Sequence, residues 1–308
     1  MIKQLVYGLA TNLPWVQGLR NQSLGGSVSA RYCYSVWLRH IVMANLQGLN
    51  TQPRIVAELG PGLSLGMGLA ALISGSEKYL AFDVVDYSDL SLNLSVFDEL
   101  VVLFKERAPI PDAAEFSRVK PFLKDYQFPS HIYGDAGLEL ALAPERLEKI
   151  RQALQGNDPE QLIVYKVPWY EANLIEENSV DMIFSQAVLE HVDDLDNTYP
   201  SMTAWLKPGA FMSHQIDFKC HGTATTWNGH WRHSNIVWSL IRGKRPYLLN
   251  RAPKSTHITL MKKNGLTVLQ EDNVEMPSTF KQNKLAKRFR EMSDEDLTCS
   301  GVFVIAQK

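Results

Sequence analysis

Residues Val56 to Gly68 read VAELGPGLSLGMG, a short apolar run followed by four glycines. The apolar run begins earlier, as RIVAEL, and SLGMGLAALIS continues beyond the first glycines with apolar residues at helical spacing. KYLAFDVV, which begins at Lys78, then predicts a second strand. A strand, a glycine loop, a helix and a second strand in this order indicate a βαβ unit and therefore a parallel sheet.

Three further strand-like segments follow: QLIVYKV, VDMIFS and GAFMSHQIDF. The chain ends with two more, GLTVLQED and CSGVFVIAQ, which predict an antiparallel edge pair. We therefore predict an α/β fold with a doubly wound, seven-strand, Rossmann-like sheet. Residues 1–53 are expected to form an N-terminal helical segment and residues 54–308 the main domain. Two cap-forming insertions are expected at about 88–160 and 219–256.

Composition limits the classes of partner. The 308 residues include 31 basic and 33 acidic side chains, so the formal charge of −2 gives no field that favours nucleic acid. Three widely spaced cysteines are more typical of a reducing compartment than of a disulfide framework. Since the N-terminus lacks a secretory signal and no apolar run reaches the length of a membrane span, we expect a cytoplasmic protein and leave peripheral membrane association open.

The glycine loop departs from the fingerprint of nicotinamide-binding proteins. Gly60 and Gly62 match the first two glycines of GxGxxG, but Leu65 occupies the third position. Glu58 is expected to lie at the end of the strand and to repel the phosphates of a dinucleotide. The same carboxylate would attract a ligand that carries an ammonium and a sulfonium, as S-adenosylmethionine (SAM) does.

A second acidic residue supports SAM as the ligand. Asp83 ends the next predicted strand, 21 residues after Gly62. An acid at about 20 residues from the loop is the expected partner of a ribose hydroxyl. A nicotinamide oxidoreductase is therefore disfavoured.

Four motifs in sequence order, VAELGPGLSLG, YLAFDVVD, SVDMIFSQAVLEHV and WLKPGAFMSHQIDF, resemble those of class I SAM-dependent methyltransferases, in particular the type 11 group. The resemblance spans residues 55 to about 218 and the terminal strands. It implies that the loop lines the methionine part of SAM and that Asp83 binds the ribose, although Ser64 stands where many members have a third glycine. The third strand lacks the acid that often meets adenine, so Trp169 either stacks on that ring or belongs to the core. The cofactor-binding residues so implied are Glu58, Gly60, Gly62, Ser64, Asp83, Ser185 and Gln186.

Candidate catalytic residues follow the fourth and fifth predicted strands, because open α/β sheets bind ligands beyond the carboxyl ends of their strands. His191 follows the fourth strand, and Asp217 and His221 follow the fifth. Each is either a general base or acceptor-orienting group, or a structural residue. His214 and Asp217 are expected on opposite faces of their strand, so we predict a structural role for His214 and no metal site.

The second insertion is rich in aromatic and basic residues. Trp227, His230, Trp231 and Arg245 are candidates for binding the acceptor, because flat rings and guanidinium groups suit sugars and their acidic substituents. A helical cap packed by tryptophans explains the same residues.

We thus predict an enzyme that transfers the methyl group of SAM to an acceptor oxygen, with a saccharide from a polysaccharide or glycolipid precursor as the preferred acceptor. The remaining alternatives are a methyltransferase acting on a small natural product or a protein, and a SAM-binding protein without catalysis.

Overall fold

The structure, a computed structural model, describes residues 2–11, 26–169, 174–245 and 247–308. Seven strands in these residues form one sheet. The strands are β1 (Ile55–Leu59), β2 (Lys78–Phe82), β3 (Ile163–Lys166), β4 (Val180–Gln186), β5 (Leu206–Asp217), β6 (Thr267–Glu275) and β7 (Cys299–Gln307).

The spatial order of the strands is β3-β2-β1-β4-β5-β7-β6. Strands β1 to β5 pair in parallel, whereas β7 is antiparallel to both of its neighbours, β5 and β6. The order reverses between β1 and β4, and ligands of open α/β sheets bind at that point. The α/β, seven-strand Rossmann-like fold predicted from the sequence is confirmed.

The terminal strands pair as the sequence predicts, but they do not both lie at the edge. Strand β7 is inserted between β5 and β6, and eight of its nine residues are buried. This burial explains why β7 is an almost continuous apolar run, whereas β6, the edge strand, alternates between half-buried and exposed residues.

Helices cover both faces of the sheet. They are α1 (Ile2–Ala10), α2 (Ala30–Leu46), α3 (Gly66–Ile73), α4 (Leu90–Lys105), α5 (Asp135–Ala141), α6 (Pro144–Leu154), α7 (Leu195–Trp205), α8 (Asn235–Arg242), α9 (Lys254–Lys263) and α10 (Asp294–Thr298). Helices α4, α5 and α6 fall within the predicted first insertion and α8 within the second. The domain boundaries themselves stay a prediction.

Two apolar cores lie on opposite faces of the sheet. Alternation along β1 directs Val56 into the core beneath α2, α3 and α4, and directs Ala57 and Leu59 into the core beneath α7 and α9. Glu58 lies on the same face as Val56, opposite Ala57 and Leu59. The Tyr79 hydroxyl donates a hydrogen bond to Glu58, and Tyr79 belongs to the first of these two cores. This assignment of faces decides which side chains reach the candidate site.

Gly68 brings α3 into close contact with β2. A Cβ atom at this position would overlap the ring of Tyr79, which is fully buried and cannot move aside. We expect Gly68→Ala to destabilise the protein by about 3 kcal/mol or more, at the upper end of overpacking effects. Urea denaturation measures the change. Gly137→Ala is the control, because Gly137 is also helical and has open space around its Cβ position; equal stability of the two variants would contradict this packing.

Candidate functional site

A cavity of about 530 Å³ lies at the carboxyl ends of β1, β2 and β4. We call it the central cavity. Its walls combine apolar rings with a small number of acidic and polar side chains. Residues lining it include Gly60, Phe82, Asp83, Trp169, Val188, His191, Arg242 and Tyr247.

The glycine loop forms one wall of the central cavity. Gly60 and Gly62 have φ angles of +65° and +75°, in the left-handed region that favours glycine. The Gly60 N–H donates to the carbonyl oxygen of Phe82 at 2.8 Å, which ties the loop to β2. A Cβ atom on Gly60 would lie 2.7 Å from the Val188 side chain. At Gly60 the backbone of the loop therefore lies directly against the cavity.

Asp83 lies beside the loop, at the end of β2. Its carboxylate accepts hydrogen bonds from the backbone N–H groups of Gly62, at 3.3 Å, and Val84, at 2.7 Å. The residue is only 6% exposed, and this burial raises the pKa of the carboxyl above its ordinary value, against the effect of the backbone donors. Asp83 thus places an oriented hydrogen-bond acceptor on the wall of the cavity.

The expectation that Glu58 lies against a ligand is wrong. Its side chain is fully buried, and its Oε2 accepts a hydrogen bond of 2.6 Å from the Tyr79 hydroxyl. It faces the first core, whereas Phe82, Trp169 and the central cavity lie on the other face of the sheet. Burial raises the pKa of the Glu58 carboxyl to about 8. A buried carboxyl of this kind cannot repel phosphates in the cavity.

Two predicted cofactor contacts, Ser64 and Ser185, are also fully buried. The Ser64 hydroxyl donates to the Ser27 carbonyl oxygen, and the Ser185 hydroxyl lies 2.8 Å from Nδ1 of His214. Direct contact between either serine and a ligand is therefore excluded in this structure. His214 is buried with Ser185, in agreement with its predicted structural role.

Gln186, the last residue of β4, is half-buried and reaches the end of the sheet. Its Oε1 lies 3.3 Å from Nε2 of His40, and Nδ1 of His40 lies 2.7 Å from the Ser213 hydroxyl. This chain of contacts fixes the amide at the end of the strand. Its predicted contact with the cofactor stays a prediction.

The three candidate catalytic residues lie together. The carboxylate of Asp217 lies 3.4 Å from Nε2 of His221, and the rings of His221 and His191 have centroids 5.2 Å apart. His191 lines the central cavity, and burial lowers its pKa to about 4, so this ring is neutral at physiological pH. Of the three residues His191 lines the cavity, and the Asp217–His221 pair is connected to it through the His191 ring.

Sequence reasoning missed Glu190, which precedes His191 in VLEHV. Its carboxyl group is buried, and neither oxygen makes a well-formed hydrogen bond within the described residues. Burial and the neighbouring Asp217 carboxylate raise its pKa well above the ordinary value. The sequence did contain a signal for Glu190, because VLEHV places an acid beside a histidine in an otherwise apolar segment.

Two of the four predicted acceptor contacts, Trp231 and His230, are wrong because both side chains are buried. Trp231 is fully buried and donates to the Arg251 carbonyl oxygen, and His230 is buried beside it. The Arg245 guanidinium turns back onto the carbonyl oxygens of Ile241 and Arg242, where a cation stabilises the end of α8. Trp227 is half-buried and packs on Trp231. Arg245 is half-buried too, so the acceptor contacts predicted for Trp227 and Arg245 stay predictions. The aromatic residues of the insertion mainly pack a cap.

A family model described as "Methyltransferase domain" matches residues 135–213. One similar solved structure is a SAM-dependent methyltransferase from Mesorhizobium loti, with 12% identity, 83% of this chain and 91% of that chain covered, and a TM-score of 0.41. Another is a SAM-dependent methyltransferase from Methanosarcina mazei, with 12% identity, 86% of this chain and 96% of that chain covered, and a TM-score of 0.44. A third is phosphoethanolamine N-methyltransferase 2 from Haemonchus contortus in complex with SAM (16%, 88% and 52%, 0.43). No curated protein matches the chain significantly.

The seven-strand sheet, together with the match of residues 135–213 to a methyltransferase domain, supports an enzyme that uses SAM as its cofactor. The matching model is that of the type 11 group of methyltransferase domains. The match runs from α5 into β5 and does not include the glycine loop. No helix among the described residues is long and apolar enough to cross a membrane.

Proposed function

We propose that this methyltransferase methylates a hydroxyl oxygen, with His221 as the general base and Asp217 as the group that orients it. The observation that carries the proposal is the Asp217–His221 pair, 3.4 Å apart at the end of β5, with the His221 ring 5.2 Å from the ring of His191, which lines the cavity. The same end of the sheet holds the glycine loop and Asp83. A base is needed because a hydroxyl is a weak nucleophile until its proton is removed.

The central cavity fits SAM. Phe82, Trp169 and Val188 provide apolar surface for a flat base, and Asp83 provides an acceptor for ribose hydroxyls. Gly60 and Val188 both line the cavity, and a Cβ atom on Gly60 would collide with the Val188 side chain. When bound, SAM supplies an electrophilic methyl group to the acceptor.

The chain's own residues perform two tasks in this proposal. When Nε2 of His221 carries the proton that faces Asp217, Nδ1 is left to accept the proton of the acceptor hydroxyl. Asp217 stabilises the imidazolium that results, and it stays in place because it also accepts a hydrogen bond of 2.8 Å from the Lys219 N–H. Positioning the acceptor oxygen against the methyl group supplies much of the remaining rate.

A second cavity supports a saccharide as the acceptor. This outer cleft, of about 880 Å³, lies between the start of α7, α8 and α9, and it shares Asp193, Asp194 and Arg242 with the central cavity. Hydroxyl and amide side chains that suit a polyhydroxylated ligand line it: Asn235, Ser239, Asn250, Ser255, Thr256 and Thr259. We propose a sugar of a polysaccharide or glycolipid precursor as the acceptor class.

We also propose a cytoplasmic location and no nucleic-acid partner. All three cysteines are free and buried, which fits a reducing compartment. The near balance of basic and acidic residues offers no broad basic surface for a nucleic-acid backbone.

Methyl transfer from SAM with a labelled methyl group, into a panel of sugars, sugar phosphates and fractionated cell extract, tests the proposal. We expect label in a product that survives mild alkali, because a methyl ether is stable where a methyl ester is hydrolysed. Acid hydrolysis should then release an O-methyl sugar. Label on an amine, a carboxylate or a protein would overturn the acceptor assignment, and SAM binding without any transfer would overturn catalysis.

Replacing Asp83 tests the cofactor site separately. We expect Asp83→Asn to weaken SAM binding by about 10- to 100-fold, the effect of losing a hydrogen bond to a charged acceptor. Calorimetric titration with SAM gives the affinity directly. Asp86→Asn is the matched control, because Asp86 is exposed and follows the same strand; similar losses in both variants would remove Asp83 from the site.

A further inference from the structure

We infer that the outer cleft binds an anionic group of the acceptor, a phosphate or a carboxylate, next to the buried guanidinium of Arg251. This inference rests on the proposed function, because it specifies the acceptor of the same reaction. The Arg251 guanidinium is a buried cation in the wall of the cleft, and the described residues provide no anion to pair with it.

Arg251 is only 4% exposed and lines the outer cleft. Its guanidinium donates to neutral acceptors, the His233 carbonyl oxygen at 2.7 Å and Oδ1 of Asn235 at 3.1 Å. No carboxylate of the described residues forms an ion pair with it, and its Nε has no hydrogen-bond partner among them. The positive charge is therefore held in place but not neutralised.

Aromatic rings enclose the same guanidinium. The Trp238 ring lies 4.6 Å and the Phe289 ring 5.1 Å from its central carbon. Burial lowers the pKa of Arg251 to about 10, which agrees with a charge that is poorly solvated. A buried charge without an anionic partner is destabilising, and an anion that enters the cleft would offset this effect. The energetics thus favour an anionic ligand.

The lining of the cleft carries four cations, Arg242, Arg251, Lys263 and Arg288, against three carboxylates, Asp193, Asp194 and Asp196, so its formal charge is positive by one. Arg242 is paired with Asp193. Asp194 caps α7 by accepting from the Asn197 N–H at 3.1 Å. Two exposed cations of the lining, Lys263 and Arg288, are in no ion pair among the described residues.

Calorimetric titration of the full chain with glucose 1-phosphate, glucuronate and glucose tests this site without requiring turnover. We expect at least one charged sugar to bind about 10-fold or more tightly than glucose. Lys263→Ala and Arg288→Ala should each weaken its binding by about 5- to 20-fold, and Arg251→Gln by more. Lys262→Ala and Lys287→Ala are matched controls, because both residues are exposed neighbours that do not line the cleft.

The relative affinities identify the anion, since a phosphate site favours glucose 1-phosphate and a carboxylate site favours glucuronate. Saturating S-adenosylhomocysteine should leave the binding unchanged, because the ligand occupies the outer cleft. We call Lys263→Ala and Arg288→Ala the rim variants. The inference would be overturned by equal affinity for all three sugars, by equal losses in the rim variants and their controls, or by competition with S-adenosylhomocysteine. If Arg251→Gln does not fold, the rim variants still decide the question. Binding without methyl transfer would leave the site standing and overturn only the proposed reaction.

Discussion

His221→Ala should lower kcat for methyl transfer by about 10²- to 10⁴-fold, the usual contribution of a general base. The loss is expected because the variant has no group at the end of β5 to take the acceptor proton. SAM affinity should stay within about threefold of the wild type, since the base acts on the acceptor. Single-turnover kinetics with labelled SAM, together with calorimetry, separate the two effects.

Asp217→Asn tests whether the two residues act as a unit. We expect a loss of about 10- to 10³-fold, and the double variant His221→Ala, Asp217→Asn should be little slower than His221→Ala alone, because groups that act together are not additive. His131→Ala is the control, since His131 is exposed and distant in sequence from the cluster. Wild-type rates in both single variants, or additive losses in the double variant, would remove the pair from catalysis.

Most of the fold could be predicted because local signals agree with one another. The alternation and length of RIVAEL, the glycines after it and the helical spacing beyond them all specify one βαβ unit. The position of Asp83 follows from the end of β2 alone. The grouping of His191, Asp217 and His221 follows from the rule that the carboxyl ends of parallel strands meet at one edge.

The predictions from the sequence that the structure contradicts concern the directions of side chains. Strand alternation correctly separates His214 from Asp217, and the same period directs Glu58 away from the cavity that opens on the face of Phe82. Which face carries the cavity depends on α7 and on the Trp205 ring, which stacks on Phe82 at 5.3 Å. That packing is tertiary, so the local sequence around Glu58 does not contain it.

The residues that we propose for the acceptor could not be predicted from the sequence for a related reason. A tryptophan has the same composition signal whether it lines a cleft or fills a core, and Trp231 fills a core. Arg251 gives no signal in the sequence, because the role that we propose for it comes from its burial without a carboxylate partner among the described residues.

Glu58→Gln should make the protein more stable than the wild type at pH 8.5 and nearly equal to it at pH 5. The Glu58 carboxyl has a folded-state pKa of about 8 and an ordinary value of 4.5, so the folded protein holds a proton that the unfolded chain has lost. Its contribution to the free energy of unfolding is complete below about pH 4.5 and is lost as the pH rises through about 8. Glutamine keeps an acceptor for the Tyr79 hydroxyl and does not ionise.

This rise in the pKa of Glu58 corresponds to about 3 to 5 kcal/mol of unfolding free energy, which the wild type loses relative to Glu58→Gln as the pH rises through that range. Urea denaturation at several pH values measures it, and Glu99→Gln is the control because Glu99 is exposed. If Glu58→Gln is instead less stable at every pH, the carboxylate is ionised in the fold and the assignment of its burial fails.

SAM affinity should stay within about threefold of the wild type in Glu58→Gln, because a neutral buried acid contributes no field to the central cavity. Discrimination between SAM and a dinucleotide then has to come from groups that line the cavity. Of these, Asp83 carries the charge nearest to the loop, 3.3 Å from the Gly62 N–H, at the place where a diphosphate would otherwise bind. We therefore expect Asp83, at the end of β2, to be the carboxylate that favours SAM over a dinucleotide.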